Sequence, residues 1–93
     1  MSLNFGSIVK STSGRDKGYV FAVIDKRDGK LVLSDGRKRR LEKPKLKQIK
    51  HVEDLNLTLS EEIKKELLLG EITNKKLYRD IKESLKNKFE SFD

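Results

Sequence analysis

The chain has 93 residues, of which 22 are Lys or Arg and 15 are Asp or Glu, so its formal charge is +7. A hydrophobic fraction of 34% and a charged fraction of 40% allow one small domain with a thin core and exclude large catalytic architectures. The absence of Cys excludes disulfides and thiolate metal sites, and one His leaves too few ligands for structural zinc. No apolar run reaches the ~20 residues of a membrane span, and no secretory signal precedes the first strand, so we expect a soluble, cytoplasmic protein.

The net charge and the amino-acid composition both change near residue 52. Residues 1–52 carry 14 basic and five acidic side chains, a net charge of +9, whereas residues 53–93 carry −2. The first part is punctuated by glycines and short β-branched runs, while the second has one Gly and no Pro. We therefore predict a β domain at 1–52 and a helical extension at 53–93. The concentrated positive charge indicates that the first part binds a polyanion.

Five short stretches of the first part have the composition of β-strands: 7–10, 18–25, 30–34, 39–43 and 48–52. Both faces of the second stretch are apolar, which predicts a strand that is covered on both sides or strongly bent. The dipeptides Asp28-Gly29 and Asp35-Gly36 predict turns, and Pro44 is expected to end the fourth strand. Closing the sheet would hide its edges, so we predict a small SH3-like or OB-like barrel of four or five strands.

The segment 6–24 resembles the KOW motif of ribosomal proteins and transcription elongation factors. The residues that carry the resemblance are the pair Ile8-Val9, a polar loop that ends in Lys17-Gly18, and the hydrophobic strand that follows. The similarity continues through Asp35-Gly36 and Pro44-Lys45 and covers roughly residues 5–52. This longer pattern is most similar to the SH3-like-barrel ribosomal proteins of the large subunit in archaea and eukaryotes, and to their small bacterial relatives, the KOW-domain RNA-binding proteins.

The resemblance implies an SH3-like KOW barrel that binds RNA, with ribosomal RNA of the large subunit as the first candidate. It gives a role to Gly18, the motif's characteristic glycine, and to the loop cations Arg15 and Lys17. A helical second half has no counterpart in the motif.

Two groups of cations are the candidate RNA-binding residues. Glycines at both ends of the loop 14–18 let its backbone approach a phosphate, although Gly18 could serve backbone geometry alone. Four adjacent cations at 37–40 repel one another unless a polyanion compensates them, although they could also form a solvated edge that prevents sheet association. Alternation over 43–47 places three lysines on one side of an extended chain, and Tyr19 could stack on a base. The predicted RNA-binding residues are Arg15, Lys17, Gly18, Tyr19, Arg37, Lys38, Arg39, Arg40, Lys43, Lys45, Lys47 and Lys50.

The sequence offers no catalytic motif. Its aspartates in the first part sit at predicted turns, where they usually serve turn geometry, and no P-loop or dinucleotide fingerprint is present. We therefore predict a protein that is not an enzyme and has no cofactor, no metal and no small-molecule substrate.

The second part has the pattern of a helical hairpin. Ser60 is a predicted N-cap, Gly70 a stop, and Thr73 the cap of a second helix. The apolar residues of that helix follow one stripe: Leu77, Ile81, Leu85, Phe89 and Phe92. We expect this stripe to pack on the barrel or on the first helix, with a partner-binding surface as the alternative.

Together these features predict an α+β chain, mainly β, with a KOW barrel followed by two helices. The expected function is non-enzymatic binding of ribosomal or other structured RNA by a ribosome-associated or translation-related protein. Two alternatives remain open: a protein-interaction module that uses the helical stripe, and a transcription-elongation accessory factor. DNA binding is disfavoured because no helix shows the basic face that a recognition helix needs.

Overall fold

A computed structural model describes residues 3–90, with side chains described for residues 3–88. Its elements are β1 (Ser7–Ser11), β2 (Val20–Arg27), β3 (Lys30–Ser34), β4 (Lys45–Gln48), a 3-10 turn (Ile49–His51), β5 (Val52–Thr58), α1 (Glu61–Leu68) and α2 (Asn74–Glu90). The strands form one antiparallel sheet in the order β4-β3-β2-β1-β5. The predicted α+β class, a sheet followed by two helices, is confirmed. In the described part of the chain, no helix is long and apolar enough to span a membrane.

The sheet is strongly curled. Its edge strands, β4 and β5, are consecutive in the chain and are joined only by the three residues Ile49–His51. The edges of a flat five-stranded sheet would lie about 19 Å apart, whereas a three-residue 3-10 segment rises only about 6 Å. Register shifts after Ile8 and after Val23 mark bulges, which bend the strands further. Within residues 3–90, β4 pairs with β3 and β5 with β1, so the sheet is not closed.

Both faces of the sheet are covered. One buried cluster fills the side without helices and comprises Leu3, Val9, Phe21, Val23, Leu31 and Leu33. The other lies between the sheet and the helices and comprises Ile8, Ala22, Leu59, Leu77 and Ile81. Strand β2 contributes to both, since Phe21 and Val23 enter the first cluster and Ala22 enters the second. The prediction of a strand covered on both sides is therefore confirmed.

Two predicted strands were placed wrongly. Residues 39–43 form a loop, because the Leu41 amide donates to the Asn74 side chain (2.8 Å) instead of entering the sheet. Strand β4 starts directly after Pro44, at a sheet edge where a residue without an N–H is tolerated. The stretch 48–52 is broken by the 3-10 turn, and β5 continues to Thr58. The sheet thus runs beyond residue 52, and the division into domains at that point stays a prediction.

The helical hairpin forms as predicted. Ser60 Oγ accepts from the Ile63 amide at the start of α1, and Gly70, with φ +71, follows its end. Thr73 Oγ1 accepts from the Lys76 amide at the start of α2. Leu77 and Ile81 are buried against the sheet, so the described part of the stripe packs internally, as expected. The predicted stripe positions 89 and 92 lie outside the described side chains.

Candidate nucleic-acid interface

Lys47, one of the predicted RNA-binding cations, lies at the centre of a buried ion cluster. Its ammonium donates to Ser11 Oγ (2.9 Å), the Ser13 carbonyl (2.9 Å) and Asp16 Oδ1 (2.6 Å). An ammonium has three N–H donors, so all of them are used. The neighbouring Lys45 Nζ lies 3.5 Å from the other oxygen of Asp16. We therefore correct the expectation for Lys47 and leave this side chain out of the interface.

The same cluster sets the charge of Asp16. Burial raises the pKa of the carboxyl, but hydrogen bonds from Lys47 and Ser11, with the charges of Lys47 and Lys45, outweigh this effect and lower the pKa from 3.8 to about 2. Asp16 therefore stays ionised near neutral pH and anchors the β1–β2 loop to strand β4. The turn role predicted for this aspartate is only part of its function.

The anchored loop presents two exposed cations, Arg15 and Lys17. It ends at Gly18, whose φ is +91. Residues that carry a Cβ rarely adopt this backbone conformation. A Cβ built on Gly18 would have no neighbour within 4 Å, so the surface above this glycine is open. The next residue, Tyr19, is 40% exposed, and its amide donates to the Asp16 carbonyl (2.9 Å).

The β3–β4 loop, residues 35–44, is clamped onto the start of α2. Asp35 Oδ1 accepts from the amides of residues 37 and 39 and shapes the turn. Gly36, with φ +77, lies so close to α2 that a Cβ at this position would overlap the Asn74 carbonyl oxygen. The Asn74 side chain binds the Leu41 amide and the Glu42 carboxylate. The clamp therefore holds the predicted cations of positions 37–40 beside α2.

Glu42 is the acidic neighbour of these cations. Hydrogen bonds from Asn74 and Arg40 lower its pKa, and Arg40 Nε lies 3.1 Å from Glu42 Oε2. Glu42 thus compensates part of the positive charge of Arg40. The neighbouring side chains of Arg39 and Lys38 are exposed.

Helix α2 carries a basic face that the sequence analysis missed. Lys75, Arg79, Lys82 and Lys86 recur at intervals of four, three and four residues, which places them on one side of the helix. The net charge of −2 for residues 53–93 hid this face, because acidic side chains offset it, one of which, Glu83, lines the same cleft. The intervals between these four cations in the sequence were enough to predict the face. The expectation that no helix carries the basic face of a DNA-recognition helix is not tested by this face, which also includes Glu83, and it stays a prediction.

Tyr78 lies among these cations and joins α2 to the β3–β4 loop. The Arg37 guanidinium donates to Tyr78 Oη (2.9 Å) and lies 5.2 Å from the ring centre. Lys82 Nζ lies 5.3 Å from the same ring centre. Hydrogen bonds from Arg37 and Lys82 lower the pKa of Tyr78. Across the surface, Lys38 Nζ sits 4.8 Å from the centre of the Tyr19 ring.

Three adjoining clefts connect these groups into one surface. The first is lined by Arg15, Tyr19, Lys38 and Arg39, the second by Tyr19, Lys38, Tyr78 and Lys82, and the third by the basic face of α2. Each cleft also has one acidic residue in its lining: Asp16 in the first, Asp35 in the second and Glu83 in the third. Neighbouring clefts share an aromatic ring and a cation, so the surface is continuous. We call it the basic-aromatic track and define it by Arg15, Tyr19, Arg37, Lys38, Arg39, Lys75, Tyr78, Arg79, Lys82 and Lys86.

Several predicted residues lie outside the lining of this track. Lys17, Lys43 and Lys50 are exposed, Lys45 is partly buried beside Asp16, and Lys47 is buried. Gly18 borders the second cleft. Among residues 3–90, no group of three His, Asp or Glu side chains could hold a metal ion.

No family profile matches the chain, and no characterised protein matches it.

Proposed function

We propose that this chain is a non-enzymatic RNA-binding protein that binds ribosomal or other structured RNA as a ribosome-associated or translation-related factor. The observation that carries the proposal is the basic-aromatic track, in which cations from two loops and one helix surround two tyrosine rings. Phosphate contacts supply most of the affinity of such a surface and position the nucleic acid. Aromatic rings between cations are typical of surfaces that meet RNA bases.

The fold supports a finer proposal, that the sheet is an SH3-like barrel of the KOW type. Edge strands that follow each other through a 3-10 turn, and two bulges that increase the bend, are compatible with such a barrel. The glycine of the KOW-like loop, Gly18, borders the track, which is where the resemblance implies RNA contact.

The packing of α2 favours RNA over the protein-interaction alternative. A partner that recognised the apolar stripe would bind residues such as Leu85 or Phe89. Leu85 packs partly against the core cluster that contains the buried Leu77 and Ile81, and position 89 lies outside the described side chains. The basic face of α2, in contrast, is exposed. A transcription-elongation role uses the same RNA chemistry and differs only in the assembly that the protein joins.

Charge reversal within the track tests RNA binding directly. We expect Lys38→Glu with Lys82→Glu to weaken binding to a structured RNA and to lower the slope of log K against log salt by about two. The matched control is Lys26→Glu with Lys30→Glu, which makes the same charge change on exposed residues about 20 Å along the β2–β3 hairpin from Tyr19. Fluorescence anisotropy measures both. Equal losses in the two variants would indicate nonspecific attraction, and no loss in either would refute the proposal.

Sedimentation of cell lysate through sucrose gradients tests the ribosomal part. Comigration with the large subunit that survives high salt would indicate a seated ribosomal protein, and loss on raising salt would indicate a transient factor. A protein that stays at the top of the gradient in low salt contradicts the ribosomal role. Enrichment of polymerase in a pull-down would then support the transcription alternative.

A further inference from the structure

We infer that the cleft between Tyr19 and Tyr78 is a stacking site for unpaired RNA bases. The inference rests on the proposed function and narrows it, because it assigns the selectivity of binding to bulged or looped nucleotides instead of to continuous duplex.

The cleft has the aromatic, apolar and cationic lining that a stacked base needs. The volume of the cleft is about 270 Å³. It is therefore smaller than the pockets of about 300–1,000 Å³ that enclose drug-sized ligands. Besides the two tyrosine rings, its apolar lining comes from Val20, Ile81 and Leu85. Its cations are Lys38 and Lys82, each of which also lies over one of the rings, and Asp35 is its acidic residue.

The cations that now cover the rings can exchange places with a base. A cation over an exposed ring contributes only about 0.5–1 kcal/mol, whereas a base stacked on an aromatic side chain contributes about 1–3 kcal/mol. Lys38 covers Tyr19, and Arg37 and Lys82 lie over Tyr78. When a base takes the ring, the displaced cation remains beside the phosphate of the same nucleotide. Stacking and phosphate contact therefore reinforce each other.

The Tyr19 backbone and the Tyr78 side chain are both held in place before any ligand arrives. The backbone of Tyr19 is bonded to Asp16, whose carboxylate is fixed by Lys47. Tyr78 is held by Arg37 from the clamped β3–β4 loop. A site whose groups are already ordered loses little conformational entropy on binding, which increases its affinity.

Unpaired nucleotides fit this surface better than a duplex does. Bases inside a duplex are stacked on each other and present no free face to a tyrosine ring, whereas bases of loops and bulges can be splayed out. The cations on either side of the cleft, Arg15 and Arg39 at one end and the basic face of α2 at the other, continue the track along a phosphate backbone.

Intrinsic fluorescence gives a direct readout, because Tyr19 and Tyr78 are the chain's two tyrosines and it has no Trp. The probes are an RNA hairpin with a short bulge and the same hairpin with the bulge deleted, both titrated into the full chain. We expect the bulged RNA to quench tyrosine emission beyond the inner-filter effect measured with the duplex. We also expect the bulged RNA to bind more tightly than the duplex.

Substitutions of the rings separate stacking from other contacts. Tyr19→Leu and Tyr78→Leu should each weaken binding of the bulged RNA by about five- to 150-fold and leave duplex binding unchanged. Tyr19→Phe is the matched control, since it keeps the ring and should retain the preference for the bulge. Tyr78→Phe is not used as a control, because it removes the hydroxyl that accepts a hydrogen bond from Arg37. Unchanged duplex binding also shows that each variant is folded.

The possible results distinguish failure of the stacking site from failure of RNA binding as a whole. If wild type binds both RNAs equally and the Leu variants behave like wild type, the stacking site is refuted and RNA binding by the cations stands. If Tyr19→Phe loses as much as Tyr19→Leu, the Tyr19 hydroxyl carries the contact and stacking on this ring is refuted. If neither RNA binds at all, the proposed function fails together with the inference.

Discussion

The buried ion pair between Asp16 and Lys47 gives the sharpest prediction about stability. Lys47→Met keeps most of the side-chain stem but removes the ammonium, and leaves Asp16, 5% exposed, without its main partner. The pKa displacement of Asp16 from 3.8 to about 2 corresponds to about 2 kcal/mol, and breaking a buried pair costs about 3–5 kcal/mol. We therefore expect Lys47→Met to lower the free energy of unfolding by about 2–4 kcal/mol.

Urea denaturation followed by circular dichroism measures this loss at neutral pH. Lys45→Met is the control, because the Lys45 side chain is 27% exposed and lies 3.5 Å from Asp16, so its removal should cost less than about 1 kcal/mol. Replacing both partners, Asp16→Leu with Lys47→Met, should recover much of the loss, because no buried charge is left unpaired. Wild-type stability in Lys47→Met would refute the argument.

The pH dependence provides an independent check with a definite sign. Because the folded pKa of Asp16 is depressed, its contribution is present in full above the unfolded value of 3.8 and is lost as the pH falls through about 2. Between pH 4 and pH 2, wild type should lose about 2 kcal/mol more than Asp16→Asn, which has no such carboxyl. Parallel stability curves for the two proteins in this window would contradict the assignment.

Three further substitutions test how the helices dock. Gly36→Ala should destabilise the fold by about 2 kcal/mol or more, because its Cβ would meet the Asn74 carbonyl. The control is Gly18→Ala, where the backbone strain is of the same type but the space is open, and it should cost about 1 kcal/mol in the same urea assay. Asn74→Ala should cost about 1–3 kcal/mol by leaving the Leu41 amide unpaired, and an unchanged midpoint would exclude the clamp. Leu77→Ala should cost about 2–5 kcal/mol, while Leu68→Ala, 73% exposed, should stay within about 0.5 kcal/mol; equal effects would contradict the packing of α2.

Local signals in the sequence predicted the elements of the fold well. The two-sided apolar pattern of 18–25 corresponds to the two core clusters, because strand alternation puts neighbouring residues on opposite faces. Ser60, Gly70 and Thr73 lie at the ends of the helices as predicted. Asp28-Gly29 forms the tight β2–β3 turn with positive φ at both residues. Each of these features depends on a few residues close together in the chain.

The candidate site was predicted only in part. Tyr19, Lys38 and the loop cation Arg15 lie on the track, whereas Lys17 lies outside its lining, and the contribution of α2 was missed because charge was summed over each half of the chain. Lys47 had the alternation of an exposed edge cation, yet it faces Asp16, 31 residues away. Nothing in the alternation distinguishes a side that faces solvent from a side that faces a buried loop.

The sequence by itself therefore determined the elements, their turns and caps, and the excess of positive charge in the first 52 residues. The tertiary structure alone decided which side chains meet, since the Arg37 contact with Tyr78 spans 41 residues and requires α2 to dock beside the β3–β4 loop. It also decided that residues 39–43 stay outside the sheet, because Asn74 offers Leu41 a partner. The physical reason is that turns and caps depend on short-range backbone preferences, whereas a binding surface depends on how a curled sheet and a helix pack together.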